Sequence, residues 1–233
     1  MRKALAGFFA LALCSAAPAF AQDAPPAIPT PTPVVEPVTE ARVPNFLGAT
    51  GLLYAPSAYT QGNRVVTPYI AGNSDFFGGG VVGGIGDRFE VGLSVLDFDN
   101  NLGGDTEFFL NAKFNFLRET DKYPALAAGV IDALDSTDQG QSWYVMASKY
   151  FTRTEIEQRF AVKGHLGFGG GLYDEEIIAG AEFFFGRNLS LMAEYVNSDF
   201  DFGARYTHRG FAATLGWFDT KHIGGQLSYT VRF

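Results

Sequence analysis

The sequence predicts an all-β protein, a transmembrane antiparallel up-and-down β-barrel of about 12 strands, with roughly 10 to 14 as the range. Three observations support this prediction. Apolar and polar residues alternate with period two along most of the chain, the first residues look like an export signal, and the alternation runs to the last residue. The alternating segments span roughly 8 to 14 residues, whereas strands of a soluble sandwich usually have about five or six and transmembrane strands about 9 to 11.

The first 21 residues have the pattern of a secretory signal peptide. A basic start, "MRK", precedes an apolar run that is too short to span a bilayer as a helix, and "AFA" before Gln22 matches a cleavage site. The alternative is a lipoprotein anchored through Cys14. It fits less well, because Leu13 stands where a small residue is expected.

Removal of the signal leaves an acidic protein without cysteine. The formal charge changes from −8 to −10, because Arg2 and Lys3 leave together with the single cysteine. No disulfide and no cysteine-ligated metal site is then expected. An acidic exported chain is also a poor partner for nucleic acid. We predict no cofactor and no metal.

Residues 22–44 predict a proline-rich periplasmic linker. They contain seven of the eleven prolines, which excludes a regular helix or sheet and favours extended polyproline II. The segment is interpreted as a spacer, or alternatively as a docking segment for a periplasmic partner or the cell wall. Residues 45–233 would form the barrel.

The wall strands follow from the alternation. The predicted strands are 64–71, 75–86, 88–98, 106–117, 123–132, 142–152, 159–172, 176–186, 188–197, 202–208, 210–218 and 223–233. A further segment, Gly48 to Ala58, is either an extra wall strand or folds into or below the barrel. Tyrosines and tryptophans near strand ends predict interfacial girdles: Tyr69, Tyr123, Trp143, Tyr150, Tyr173 and Trp217.

The polar faces of these strands carry charge in the middle of the strand, which in a membrane barrel places the charges in the lumen. The predicted lumen-lining residues are Glu90, Lys113, Lys163, His165, Glu182, Glu194, Arg205 and Arg232. They would form either a salt-bridged interior that stiffens a narrow barrel or the lining of an aqueous pore. A narrow or partly closed lumen is slightly favoured.

The final segment "QLSYTVRF" resembles the C-terminal signal that the barrel assembly machinery reads in bacterial outer-membrane proteins. The matching positions are Gln226, Leu227, Tyr229, Val231 and Phe233, while Ser228 stands where glycine is preferred. The resemblance implies the outer membrane of a Gram-negative bacterium, with outer-membrane lipid, lipopolysaccharide and the assembly machinery as partners. An even strand number then places both termini in the periplasm.

Counting strands back from Phe233 assigns each connection to the outer or the periplasmic side, and the acidic residues then fall on the outer side. The connections on the outer side form an acidic rim: Asp97, Asp99, Asp105, Asp135, Asp138, Asp174, Glu175, Glu176, Asp199 and Asp201. Such a rim could bind divalent cations that bridge lipopolysaccharide phosphates, or repel anions from the mouth. Alternatively, these are ordinary polar loops.

Other motifs do not carry chemistry. Gly78, Gly80 and Gly83 have the spacing of a dinucleotide fingerprint, but no helix follows, so a bent or closely packed glycine-rich strand is the better interpretation. The segment "DFDNNLGGD" begins like a calcium loop, but Leu102 stands at position six, where the loop requires glycine, and Phe108 stands at position twelve, where it requires glutamate. His222 is the one histidine predicted at the outer rim, with no serine at a matching spacing. We therefore predict no enzyme, with a lipid-modifying enzyme as the remote alternative.

The stretch "NFLGATGLLYAPSAYTQGNRVV" followed by "FEVGLSVLDF" resembles the YjbH-like outer-membrane proteins linked to exopolysaccharide secretion. Gly51, Leu52, Pro56, Ser57 and Ala58 carry the match. The resemblance implies a role near polysaccharide export. The leading hypothesis is a narrow, porin-like pore or export-associated channel for small polar solutes or polysaccharide. The alternative is a non-conducting structural barrel that anchors a periplasmic partner through the proline-rich linker.

Overall fold

The computed structural model describes residues 42–98, 106–137, 140–152 and 160–233, which form a closed antiparallel β-barrel. The predicted signal peptide and most of the predicted linker lie outside the described residues. The strands are β1 (Val65–Gly72), β2 (Phe76–Ile85), β3 (Phe89–Phe98), β4 (Thr106–Leu117), β5 (Ala125–Ile131), β6 (Ser142–Thr152), β7 (Phe160–Gly170), β8 (Ile177–Phe185), β9 (Leu189–Val196), β10 (Asp199–His208), β11 (Phe211–Phe218), β12 (His222–Tyr229) and the short β13 (Val231–Arg232).

Each strand pairs with the next, and β12 pairs with β1 to close the barrel, for example at Tyr69 and Ser228. β13 continues the last wall strand after Thr230 in the same register against β1, and the Thr230 N–H donates to the Gly210 carbonyl at 2.7 Å. The predicted closed 12-stranded antiparallel barrel is thus confirmed. β10 begins at Asp199, three residues before the predicted start, because the hairpin from β9 is tight.

The period-two pattern separates an apolar outer surface from a polar interior. Side chains such as Leu215 and Ile223 are 60% and 69% exposed on the outside, while alternate residues such as Thr214 and Gln226 are buried inside. This inverts the arrangement of a soluble protein and is the arrangement of a membrane barrel. Among the described residues, no helix is long and apolar enough to cross a membrane.

The aromatic residues divide between the two faces. Trp143 and Trp217 are about half exposed on the outside, as an interfacial girdle requires. Tyr69 and Tyr173 are instead buried inside, so their prediction as girdle residues is wrong. Tyr69 lies on the inward face of β1, where its hydroxyl donates to Ser94 Oγ at 2.7 Å.

The tight connections have backbone conformations that suit their residues. Asn197 and Ser198 link β9 to β10 with φ angles of 53° and 66°, the geometry of a two-residue type I′ turn. Asp135, Asp174 and Asp219 also have positive φ, which aspartate tolerates better than most residues. Part of the acidic character of this end of the barrel therefore follows from turn chemistry.

We predict that Leu215→Arg destabilises the barrel by about 2–4 kcal/mol in lipid, because the side chain lies on the outer face near the middle of β11. Urea unfolding in lipid vesicles measures this. The control is Leu134→Arg, at an exposed leucine in a connection, which should change stability by less than about 0.5 kcal/mol. Equal effects of the two substitutions would contradict a lipid-facing Leu215.

Candidate functional site: a plug inside the barrel

Residues 42–61, which we call the plug, fold inside the barrel before β1 begins. Phe46, Leu52, Leu53 and Ala55 are completely buried there. The segment is compact because Asn45 Oδ1 accepts hydrogen bonds from the N–H groups of residues 47 and 49, and a further bridge joins Gly51 to Pro56. Gly48 to Ala58 is therefore not a wall strand, and the alternative that it folds into the barrel is the observed one.

The plug enters and leaves through the same end of the barrel. Gln61 Nε2 donates to the Arg42 carbonyl at 2.6 Å, which ties the start of the plug to its end. Thr60 Oγ1 donates to Asp87 in the β2–β3 turn, and the Phe233 N–H donates to the Arg64 carbonyl. Arg42 and Phe233 thus lie at one end. The far part of the plug approaches the opposite end, where Asn73 donates to the Tyr54 hydroxyl at 2.8 Å.

One anchor of the plug is the ion pair between Glu90 on β3 and Lys113 on β4, at 2.9 Å and almost fully buried. The Glu90 carboxylate accepts from the Thr50 N–H at 2.8 Å, the Thr50 hydroxyl at 2.5 Å and the Gln61 N–H at 2.8 Å. Lys113 Nζ donates to the carbonyls of Thr50 and Ser57. The pair therefore uses its remaining hydrogen-bonding capacity on the plug backbone.

A second anchor is Glu194 on β9, whose carboxylate accepts from three consecutive backbone N–H groups. The distances are 3.0 Å from Leu53, 2.6 Å from Tyr54 and 3.2 Å from Ala55. Charge-assisted hydrogen bonds of this kind are the strong ones, and they satisfy donors that water cannot reach.

Wall side chains also satisfy the plug carbonyls. Arg205 Nη2 donates to Gly51 at 3.1 Å and to Leu52 at 2.8 Å. Three further wall side chains donate to plug carbonyls: Asn111 to Leu47, Asn115 to Ala58 and Gln226 to Asn45. In the opposite direction, the Ala58 N–H donates to Ser148 Oγ. The polar interior is thus complementary to a segment that has no regular secondary structure of its own.

Glycines in the wall make room for the plug leucines. A Cβ added at Gly180 would lie 2.9 Å from Leu52 Cδ2, and one added at Gly203 would lie 2.8 Å from Leu53 Cδ2. A Cβ at Gly92 would lie 2.5 Å from the Gly48 carbonyl oxygen. Close approach of another chain segment is a common reason for glycine inside a strand.

Lys163 lies in a further cluster, which includes the plug residue Tyr59. Its Nζ is 4.7 Å from the centroid of the Tyr59 ring, 4.6 Å from that of Tyr150 and 5.1 Å from that of Phe184. Glu182 lies 3.9 Å from Lys163 and 3.6 Å from Arg205, at ion-pair distance from both. Cation–π contacts of a desolvated lysine are worth up to about 2 kcal/mol.

The structure brings most of the predicted lumen residues together around the plug. Buried in the interior are Glu90, Lys113, Lys163, His165, Glu182, Glu194 and Arg205. Arg232 was predicted with them but is exposed, because it lies at the open end of the barrel, opposite the first residue of β1. In the C-terminal segment, Gln226 points inward, while Leu227, Tyr229, Val231 and Phe233 are exposed on the outside.

Only some of the residues predicted for the acidic rim lie in connections at the end of the barrel. Asp135, Asp174, Glu175 and Glu176 lie in connections, whereas Asp97 and Asp199 belong to strand ends. Asp99, Asp105 and Asp138 lie outside the described residues. Asp201 is wrong as a rim residue, because it is buried on the inward face of β10 and accepts from the Asp219 N–H at 2.8 Å.

Two further pairs of side chains are in contact at this end of the barrel. A hydrogen bond from exposed Lys221 lowers the pKa of Asp219. His222 Nδ1 lies 2.7 Å from Ser74 Oγ, a neighbour that the spacing in the sequence does not reveal. Within the described parts of the chain, no group of three or more His, Cys, Asp or Glu side chains could hold a metal ion.

Sequence reasoning missed the polar partners that do not carry charge. Thr50, Asn111 and Ser148 contact across the lumen from distant parts of the chain, and nothing in their spacing predicts it. For the charged residues, the sequence did contain a signal, namely opposite charges at paired positions of neighbouring strands. Glu90 is the direct cross-strand neighbour of Lys113, and Lys163 is the direct cross-strand neighbour of Glu182. Opposite charges at such positions stabilise a strand pair.

A closed barrel with an apolar outer face and a charged interior has the architecture of the outer-membrane β-barrels. No model of a known protein family matches the chain, and no curated protein matches it. Among solved structures, the chain is similar to the crystal structure of the N-terminal β-barrel domain of Pseudomonas aeruginosa OprF. That likeness covers 73% of this chain and 100% of the other, with 16% sequence identity and a TM-score of 0.29.

We predict that Glu194→Gln destabilises the protein by at least about 2 kcal/mol, because each buried N–H group left without an acceptor costs about 1–3 kcal/mol. Glutamine keeps the size of the side chain but loses the charge and one acceptor oxygen. Denaturant unfolding measures the loss, with Glu175→Gln at an exposed position as the control. Equal stability of the two variants would contradict the proposed anchoring of the plug by Glu194.

Proposed function

We propose that this protein is an outer-membrane barrel that does not conduct at rest and that presents its proline-rich N-terminal segment at the periplasmic face as an anchor for a periplasmic partner. The observation that carries the proposal is the plug. Its main-chain groups are hydrogen-bonded to the interior wall, and it fills the space that an open pore would need.

The location is inferred from surface chemistry. The outer face of the described barrel is apolar, as lipid requires, and the export-signal pattern of the first residues supports passage to the cell envelope of a Gram-negative bacterium. Lipopolysaccharide and the barrel assembly machinery are the partners that this location implies.

The anchoring role rests on where the plug starts. Arg42 lies at the same end of the barrel as Phe233, and barrels of this class keep both termini in the periplasm, so residues 22–41 would extend into that compartment. In polyproline II conformation this segment could reach roughly 60 Å, at about 3.1 Å per residue. That reach suits a tether to a protein or to the cell wall.

A gated pore or export channel, for small polar solutes or for polysaccharide, is the second candidate. One observation favours it: the plug enters and leaves by one end and is held by hydrogen bonds and ion pairs, so it could be withdrawn without breaking the wall. The resemblance to YjbH-like proteins supports a polysaccharide role within this candidate.

We predict that the folded full-length protein shows no stable conductance steps in a planar bilayer, because the plug fills its lumen. Glu90→Gln combined with Glu194→Gln loosens the plug and tests the second candidate. Steps from this variant alone would support a gated pore, and silence from both proteins would favour the anchor. Stable steps from the unmodified protein would contradict the proposed function.

The proposed orientation predicts which end is labelled on intact cells. Ala27→Cys, in the N-terminal segment, should react with a membrane-impermeant maleimide only after the outer membrane is permeabilised. Leu134→Cys, exposed at the opposite end, should react on intact cells. The single native cysteine, Cys14, belongs to the predicted signal peptide and would not interfere. Labelling of Ala27→Cys on intact cells would contradict a periplasmic anchor.

A further inference from the structure

A groove crosses the outer face of the barrel at the place where β12 meets β1. Its volume is about 580 Å³, which lies within the range of about 300–1,000 Å³ that is usual for ligand pockets. The residues that line it belong mainly to the outward-facing side of β9 to β12, β1 and β2. The groove is therefore open to the surroundings of the barrel and lies on the opposite side of the wall from the plug.

The strand register gives the groove its direction. The row that it follows crosses five strands through successive cross-strand partners, namely Leu189, Tyr206, Ala213, Leu227 and Ile70. With strands about 4.8 Å apart, the row is roughly 19 Å long. Because the strands of a barrel are tilted, the row runs obliquely from the first residue of β9, at the end of the barrel that contains the chain terminus, toward the opposite end of β1.

Small residues make this part of the outer face a depression. Ala213 lies in the row itself, and Ala204 and Gly225 lie in the adjacent row, on either side of Leu215. A Cβ added at Gly225 would have a single atom of another residue within 4 Å, at 3.9 Å. The packing of the protein itself thus does not require glycine there, in contrast to the glycines that the plug leucines approach. A molecule bound in the groove would require it.

Two arginines lie at the end of the groove nearest the chain terminus. Arg187, in the β8–β9 turn, is two residues before Leu189. Arg209, in the β10–β11 turn, is three residues after Tyr206. The Asn188 side chain donates to a carbonyl of β10, which holds the two turns together. Both arginines are exposed, and in the described part of the chain neither belongs to an ion pair.

This combination fits a phospholipid better than a second barrel. An apolar groove accepts a hydrocarbon tail, and exposed guanidinium groups bind phosphate oxygens bidentately. The length also fits, because one leaflet contributes half of a hydrocarbon core of about 30 Å and the groove runs obliquely. A second copy of the barrel, docked about a two-fold axis, would bring the same arginines of both copies together and offer them no anion.

We propose that the groove binds one acyl chain of an anionic phospholipid of the periplasmic leaflet, whose phosphate accepts hydrogen bonds from Arg187 and Arg209. The lipid lies across the seam between the first and the last wall strand and contacts both. The leaflet rests on the orientation given under the proposed function, but the site itself does not. The inference goes beyond that function, because it assigns the barrel a specific lipid whichever role it has.

Native mass spectrometry of the folded full-length protein tests the site. The protein is incubated in detergent with equal amounts of phosphatidylglycerol and phosphatidylethanolamine. The expected result is one retained lipid, enriched in phosphatidylglycerol. Ala213→Phe fills the groove and should abolish retention, whereas Ala128→Phe, at an outward-facing alanine between Phe114 and Val145, is the matched control and should preserve it. Absence of a retained lipid, or equal retention by the two variants, would overturn the proposal.

The head-group contact has its own test, which leaves the groove intact. Arg187→Gln and Arg209→Gln should each lower the preference for phosphatidylglycerol roughly five-fold, the effect of one arginine at an anionic surface. Arg88→Gln, at an exposed arginine of another turn at the same end, is the control. An unchanged preference in the variant that carries both substitutions would contradict the phosphate contact. Neither measurement depends on conductance or on the N-terminal segment, so failure of the lipid site and failure of the proposed function are distinguishable.

Discussion

The structure depends on one constraint: every buried main-chain group of the plug must find a hydrogen-bond partner inside the barrel. A segment without helix or strand satisfies only some of its own N–H and C=O groups, as in the hydrogen bond from the Phe46 N–H to the Leu53 carbonyl, and an enclosed lumen offers little water for the others. The wall supplies the remaining partners. Carboxylates such as Glu194 accept from N–H groups, and cations such as Arg205 donate to carbonyls.

The same constraint explains why the interior carries charge at all. A buried ion pair gains little net free energy unless its remaining hydrogen-bonding capacity is used. Glu90 and Lys113 meet this condition, because each also binds the main chain of the plug. Plug and wall thus depend on each other: without the plug the interior charges would lose partners, and without the charges many main-chain groups of the plug would lose theirs.

Much of the barrel could be predicted from the sequence, because one physical rule governs it. Period two separates lipid from lumen, so strands and lumen charges follow from local pattern. The plug could not be located in this way, since its contacts join residues such as Leu53 and Glu194 that lie 141 positions apart. Asp201 was misplaced because β10 begins earlier than the pattern reveals. Tyr69 was misplaced because closeness to a predicted strand end does not define the face on which a side chain lies, and Arg232 because it lies at the open end of the barrel.

Hydrogen exchange of the plug amides, measured by NMR on the protein folded in detergent or lipid, tests the central claim most directly. The amides of Thr50, Leu53, Tyr54 and Ala55 donate to buried carboxylates. We expect them to exchange as slowly as amides in the middle of wall strands. Exchange at the rate of an unstructured chain, in a barrel whose strand amides remain protected, would show that the plug is not held by the wall.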